Sequence, residues 1–587
     1  MATRHQASTN PTAATYVAAG ALVVVGFVLV WPWLILRLTH TLTTDDDPRW
    51  PWQWWAMLIG GETPPWGVRV SLWTLLAVAA AVAVVWGCTR LVRSSAVLRP
   101  YRQAAAALAS ARAQFKPLLD RGARKTGDRL GVHAPNPGVF LGRLRPFGKS
   151  VWATWEMTVL VVAGPRKMKT TAYAIPQVCS APGAVIATSN KVDLVRVTRH
   201  LRETKTPSCR VWVFDPMHIE SRNPPTFTWN PLSYIRPGED LALTRAHHLA
   251  EEFMNAAGAM PPADSNADQS WSSTGEELLA GLLLAGAVKG VSMQHVLSWL
   301  SDPDDTQPVD LLRADVRFSV VAQRVASIMA TTPKQRDGYL APARKGLAWL
   351  AESAIAAWVT PTEGLPTFDP LAFARSHDTL YILCEKDSQG AGPLVTALTR
   401  ACIEGAKEQA SREPSGRLTT PMLIVLDEAA NICRLRTLPD MYSHMGSRGI
   451  ILSTIIQSWA QGMSAWGESG MQAMWSAAST RIYGGGEASP RFLSDTSTLL
   501  GKRQEETVSH STSRGVTNTQ RSMRDVDVLT PGQLMELPSG WALALTSHTP
   551  AFLIEPVPFW EGPFKKELGE HAQAGQALAQ VEETRNE

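Results

Sequence analysis

Six cysteines in 587 residues, at positions 88, 179, 209, 384, 402 and 433, form no CxxC pair and no close cluster. This argues against a zinc site and against a disulfide framework, and leaves the thiols as small buried hydrophobes. A charge excess is missing too: 56 Lys and Arg stand against 52 Asp and Glu, a formal net charge of +4. Dedicated nucleic-acid coat proteins are far more basic, so any contact with nucleic acid must be local. With 45% hydrophobic and 18% charged residues, the composition is globular, and the length suffices for three or four structural units.

Charge is also absent from two long stretches near the start. Between His5 and Leu36 no side chain except His5 can carry charge, and Val70 to Thr89 is a second uncharged run of 20 residues. About 20 apolar residues span a bilayer as a helix, so transmembrane helices are expected at about 14–37 and 70–89. A buried core helix is the alternative reading, and a second span argues against a signal peptide. The intervening loop, 39–66, holds Asp45, Asp46, Asp47 and Glu62 against Arg49, with Trp50, Trp52, Trp54, Trp55 and Trp66 suited to the interface. Beyond the second span, Arg90 to Ser150 carries 13 Lys or Arg and two Asp. The positive-inside rule then predicts an outward loop, both termini inside, and a multi-pass protein of the cell membrane with its main body in the cytoplasm.

Thr158 to Ala163 is a short, β-branched apolar run. After it come Gly164, Pro165, Arg166, Lys167, Met168, Lys169, Thr170 and Thr171, then a helix-compatible segment to about Cys179 with a kink expected at Pro176. Strand, loop and helix in that order suit a phosphate-binding loop, in which backbone N–H groups converge on phosphates, a Lys reaches the β/γ-phosphates and a hydroxyl meets Mg²⁺. Lys169 and Thr170 supply the last two groups. The usual motif glycines are missing, with Ala163 and Met168 in their positions. A plain strand-to-helix turn is the competing reading.

Met422 to Leu426 reads as a buried strand that ends in Asp427 and Glu428. In a P-loop enzyme an Asp at this point holds Mg²⁺ through water, and the next Glu polarises the attacking water. A solvated strand end would look similar. Ile450 to Ile456 is another buried-strand pattern and ends in Gln457, whose amide could sense a γ-phosphate or serve as an ordinary polar strand end.

From about Pro146 to Pro558 these features, in order, resemble the TraG/TraD-like coupling proteins of type IV secretion. The family's GPPRSGKTT loop is similar to Ala163–Thr171, which keeps Pro165, Arg166, Lys169, Thr170 and Thr171. Its "ATSxKxDL" stretch resembles Ala187–Leu194, followed by Val213–Pro216 and Trp229–Leu232. LLDEFANL, an Arg-Gly pair and Q-S-x-x-Q resemble Leu426–Ile432, Arg448 with Gly449, and Gln457–Gln461. A closing "LLTPDELMxLP" element resembles Leu529–Pro538.

The resemblance implies an α/β fold, a RecA-like P-loop NTPase domain with an all-α insertion domain, preceded by two transmembrane helices. It implies ATP and Mg²⁺ as cofactors, a homo-hexamer, and as partners single-stranded DNA or a relaxase-DNA conjugate, type IV secretion channel components and the membrane. Gly164, Pro165, Arg166, Lys169, Thr170 and Thr171 would bind nucleotide, Thr170 and Asp427 the metal, with Glu428 and Gln457 catalytic. Arg448 would reach nucleotide across a subunit interface, or else cap the following strand. The expected layout is a membrane anchor over 1–95, a basic linker over 96–150, nucleotide-binding parts over 151–238 and 371–560, an all-α insertion over 239–370 and a tail over 561–587. The polar segment Arg503 to Asp527 is expected to be a solvated loop rather than a hairpin. Rival readings are a non-hydrolysing membrane receptor or scaffold for transfer substrates and an FtsK-like double-stranded DNA translocase.

Overall fold

The computed structural model describes residues 97–205, 209–220, 224–260, 270–385, 390–513 and 516–573. The chain divides into two compact units, Met1–Gln103 and Ala104–Glu587. Of the first unit only residues 97–103 are described, and they are helical. Both expected membrane spans and the loop between them lie outside the described residues. Among the described residues, no helix is long and apolar enough to cross a membrane.

The second unit is built on thirteen described strands: β1 (Val139–Leu144), β2 (Lys149–Ala153), β3 (Val159–Val162), β4 (Val185–Ser189), β5 (Val211–Phe214), β6 (Thr379–Leu383), β7 (Met422–Leu426), β8 (Ile450–Ile456), β9 (Thr480–Tyr483), β10 (Lys502–Ser513), β11 (Val516–Asp527), β12 (Ala542–Thr546) and β13 (Thr549–Glu555). Eleven form one sheet in the order β2-β1-β13-β12-β9-β3-β8-β7-β4-β6-β5. From β9 to β5 all neighbours are parallel, and from β9 outward to β2 they are antiparallel. The fold is therefore mixed α/β around a large, mainly parallel sheet. The short unbroken apolar runs of β3, β7 and β8 follow from this position, because every residue in them is buried and parallel strands have both faces covered.

Between β5 and β6 every described regular element is helical, from Pro231–Ile235 to Pro370–Phe373. Trp229 is fully buried, and Asn230 caps the first of these helices by accepting from the Leu232 N–H at 3.1 Å. Helix Ala242–Ala256 packs on Gly392–Arg412, the helix after β6. Across their contact the buried Arg400 meets Glu252 at 3.2 Å, and on its own helix it meets Glu404 at 3.0 Å.

Four expectations are corrected. Residues 104–150 are no linker: Phe115, Leu118 and Ala123 are core, and β1 and β2 belong to the sheet. Helix Asp120–Arg129 turns Ala123 and Gly127 inward and leaves Arg121, Arg124, Lys125 and Arg129 exposed, which is why the segment read as basic and unstructured. The expected tail packs at its start, with Phe564, Leu568 and Ala572 buried in the main core. The polar segment after Gly501 is a hairpin, with β10 and β11 paired in continuous register from Lys502 opposite Asp527 to Ser513 opposite Val516. It forms a separate two-stranded sheet held by its backbone ladder and by Arg521 on Glu506 at 3.3 Å across the strands, so it carries no apolar alternation to read. Finally, the helix-compatible segment after the loop is not one α-helix: the backbone after Met168 winds as a π-turn over Lys169–Ala174 and becomes the α-helix Ile175–Ser180, with Pro176, the expected kink site, at the change from one to the other.

Candidate nucleotide-binding site

The parallel strands all end at one edge of the sheet, so the residues just beyond β3, β4, β7, β8 and β9 converge there. Ligand crevices in open α/β sheets form at this carboxyl edge. Ala163 donates its N–H to Ile456 O at 3.1 Å and Gly164 to Gly485 O at 2.8 Å, which seats the loop after β3 against the ends of β8 and β9. Gly164 lies so close to Gly486 that a Cβ on it would come within 3.0 Å of the Gly486 Cα. Pro165 and Arg166 are exposed at the loop tip. Two non-glycine residues of the loop are left-handed, Arg166 at φ 58° and Met168 at φ 54°.

Two braces hold the loop from the far end of the chain. Lys167 Nζ donates to Leu537 O at 2.6 Å, at the closing element near Leu529–Pro538, and the Phe559 N–H donates to Thr171 O at 2.9 Å. Lys169 Nζ folds back onto Gly164 O at 2.8 Å. Burial lowers the pKa of this ammonium and nearby Lys191 adds to the effect, while Asp427 and Glu428 oppose it.

Asp427 follows β7 and is 2% exposed. Its Oδ2 accepts from the Thr170 hydroxyl at 2.6 Å, and its backbone carbonyl accepts from Thr188 at 3.1 Å. Its Oδ1 is buried and has no hydrogen-bond partner. Burial pushes the carboxyl up to about 6; the Thr170 hydrogen bond pulls it down, Glu428 raises it and Lys169 lowers it. Among the described residues no group of three or more His, Cys, Asp or Glu could hold a metal ion. A hydroxyl beside one carboxylate with an unused oxygen is nevertheless the kind of set that takes Mg²⁺, which keeps several waters and binds through one or two carboxylates plus phosphate.

Glu428 sits one residue on, in the left-handed region at φ 52°. Its Oε1 accepts from Gln457 Nε2 at 2.8 Å. Its Oε2 accepts from Asn190 Nδ2 at 2.9 Å and Asn431 Nδ2 at 3.2 Å. Gln461 in turn donates to Asn431 Oδ1 at 2.7 Å and accepts the Gln457 N–H at 3.0 Å.

The structure thus brings Gly164, Lys169, Thr170, Asp427, Glu428 and Gln457 together in one chain. It does not bring Arg448 to them. Arg448 precedes β8, whereas Gln457 follows it, so the length of that seven-residue strand, about 20 Å at ~3.3 Å per residue, lies between them. Its guanidinium donates to Ser411 at 3.1 Å. Asn190, Asn431 and Gln461 were missed as site residues. Their one sequence signal was that they sit inside matched motifs.

Residues 421–539 match the family of the TraM recognition site of TraD and TraG. No curated protein matches the chain. Among solved structures, the bacterial conjugative coupling protein TrwBdeltaN70 aligns over 68% of this chain and 85% of its own at 16% identity and TM-score 0.48. The plasmid coupling protein TrwB in complex with ADP and Mg²⁺ aligns over 71% and 90% at 15% identity and TM-score 0.49. VirB4 of Thermoanaerobacter pseudethanolicus aligns over 73% and 98% at 14% identity and TM-score 0.40. Likeness at that level bears on neither activity nor partners. The family match is the informative one, since it spans Asp427, Glu428, Gln457 and the closing element, and over those residues the chain is similar to TraD and TraG.

Proposed function

We propose that this protein is a membrane-anchored coupling ATPase with a RecA-like motor, which moves single-stranded DNA or a DNA-protein conjugate toward a type IV secretion channel during conjugation. The observation that carries the reading is the contact of Thr170 with Asp427 at 2.6 Å, with Asp427 Oδ1 unused beside it and Lys169 and Glu428 in the same crevice. Match to the TraG/TraD family over 421–539 supports the coupling role, and the charge pattern around residues 14–89 supports the anchor.

In this reading Lys169 leaves Gly164 O to bind phosphate oxygens, and Thr170 and Asp427 hold Mg²⁺. The metal ion, when bound, neutralises charge that develops on the phosphates. Glu428 takes a proton from the attacking water as the water oxygen bonds to the γ-phosphorus and the bond to the bridging oxygen breaks. Gln457, on Glu428 in this structure, is placed to exchange that contact for the γ-phosphate and so link nucleotide state to motion. A hexamer brings Arg448 of one subunit toward the nucleotide of the next.

A second reading, a receptor that binds substrates without hydrolysis, draws on the left-handed Met168 where glycine is usual. Phosphate release by the full-length protein at millimolar ATP, with and without single-stranded DNA, separates the two. DNA-stimulated turnover that Lys169→Ala and Glu428→Gln both abolish is expected. Equal silence in wild type and both variants, with no nucleotide bound, gives the receptor reading.

A further inference from the structure

We propose that Asn190 is a positioning residue for the hydrolytic step, one that commits one oxygen of Glu428 to anchoring and leaves the other to take the proton. This inference rests on the ATPase reading above. Strand register explains how Asn190 arrives there. β4 and β7 run parallel with Thr188 opposite Leu426, and the same register carried two residues further sets Asn190 opposite Glu428.

An ionised carboxylate only accepts hydrogen bonds, so each amide that meets it must present its NH₂ group. Asn190 and Asn431 both present theirs to Oε2, at 2.9 and 3.2 Å. A carboxylate has about four lone-pair sites, two on each oxygen. Both on Oε2 are therefore occupied. Oε1 accepts only from Gln457, at 2.8 Å, and keeps one site open. The proton from water goes to that open site, and the asymmetry of the amides decides which oxygen has it.

Asn190 is separable from the other donors. Glu428, Asn431, Gln461 and Gln457 close a ring of hydrogen bonds among residues that follow β7 and β8. Asn190 enters from β4, outside the ring. Its removal leaves the ring closed but frees one site on Oε2, so the carboxylate can turn and the water has two oxygens to choose from. Misplacement of a reacting group by about 1 Å can cost on the order of a hundredfold in rate.

The test uses the full-length chain in detergent micelles. Asn190→Leu keeps about the same size and removes the donor without adding charge, and Asn190→Ala removes the side chain. Expected for Asn190→Leu is a fall in kcat of roughly tenfold to a hundredfold, with KM and the affinity for a fluorescent nucleotide within about threefold of wild type. Asn190→Ala should lose about tenfold. Added to Glu428→Gln, either change should have no further effect on the residual rate, because the group it positions is gone.

Wild-type kcat in Asn190→Leu overturns the proposal. So does a loss matched by weaker nucleotide binding or a lower melting temperature, which would mark a structural residue, or a full additional loss on top of Glu428→Gln. If wild type binds nucleotide but shows no turnover that Lys169→Ala removes, the ATPase reading itself fails and this inference falls with it.

Discussion

Met168 offers a direct test of when the loop takes its shape. Its backbone is left-handed, φ 54° and ψ 30°. That conformation costs a side-chain-bearing residue roughly 1–2 kcal/mol. In a folded chain that holds this form before nucleotide arrives, the cost falls on folding and not on binding. Met168→Gly removes it, but glycine adds back about 0.4–1 kcal/mol through the freedom of the unfolded chain. Met168 is also partly buried against the main core, and losing that contact costs roughly 1 kcal/mol, about half of what a fully buried methionine contributes. These terms nearly cancel. The expected outcome is a melting temperature within about 3 °C of wild type and nucleotide affinity within about threefold. Titration with a fluorescent ATP analogue and thermal unfolding of the same preparation measure both. A tenfold gain in affinity, or about 1.4 kcal/mol, would refute the reasoning, because it would mean that nucleotide must drive Met168 into the left-handed region.

Two further outcomes follow from packing and burial. Gly486 has φ +81°, and a Cβ on it would lie 3.0 Å from the Gly164 Cα. Gly486→Ala should therefore displace the phosphate loop, weaken nucleotide binding about tenfold and cost roughly 1–3 kcal/mol of stability; unchanged affinity in the titration would show that the loop yields freely. Burial raises the carboxyl of Glu252 from about 4.5 to about 8, and Arg400, which opposes the rise, is shared with Glu404 and Thr437. The stabilisation from keeping it neutral is complete below about pH 4.5 and is lost as pH rises through 8. Glu252→Gln should unfold at nearly the wild-type denaturant concentration at about pH 4.5 and, relative to wild type, at a progressively higher one as the pH rises toward 8. A loss above about 3 kcal/mol at pH 6, typical of a broken buried ion pair, would show that Glu252 is the ionised partner of Arg400.

Legibility in the sequence tracked burial. β7 and β8 were read at their observed limits and β3 to within one residue at each end, because unbroken apolar runs announce strands covered on both faces. Lys169, Thr170, Asp427, Glu428 and Gln457 could be named because each ends or follows such a run. Asn190 could not, since its role depends on β4 lying beside β7, a neighbour relation that strand composition does not encode. Arg448 shows the opposite limit. Its motif lies between those of Glu428 and Gln457 along the chain, yet the short helices after Glu428 return the chain to the opposite edge of the sheet before β8 begins, so the contact expected of it would come from another subunit. The β10–β11 hairpin and the start of the supposed tail were misread for the same physical cause: polar side chains dominate their composition, while pairing or a few inward residues decide their structure.

The antiparallel side of the sheet sets an order of events during synthesis. β1 lies beside β13, with Arg143 opposite Glu555, so the early strand waits for a partner near the far end of the chain. At about 5–20 residues per second, a ribosome takes on the order of 20–80 s to supply it. Until then β9 lacks its neighbour β12, and an unpaired strand edge can template association with another chain. Both braces on the phosphate loop, at Leu537 and Phe559, also emerge late. A nascent chain halted before Thr549 would carry every side chain proposed above to contact nucleotide, yet still lack the Phe559 clasp on Thr171 and the strand that seals the sheet.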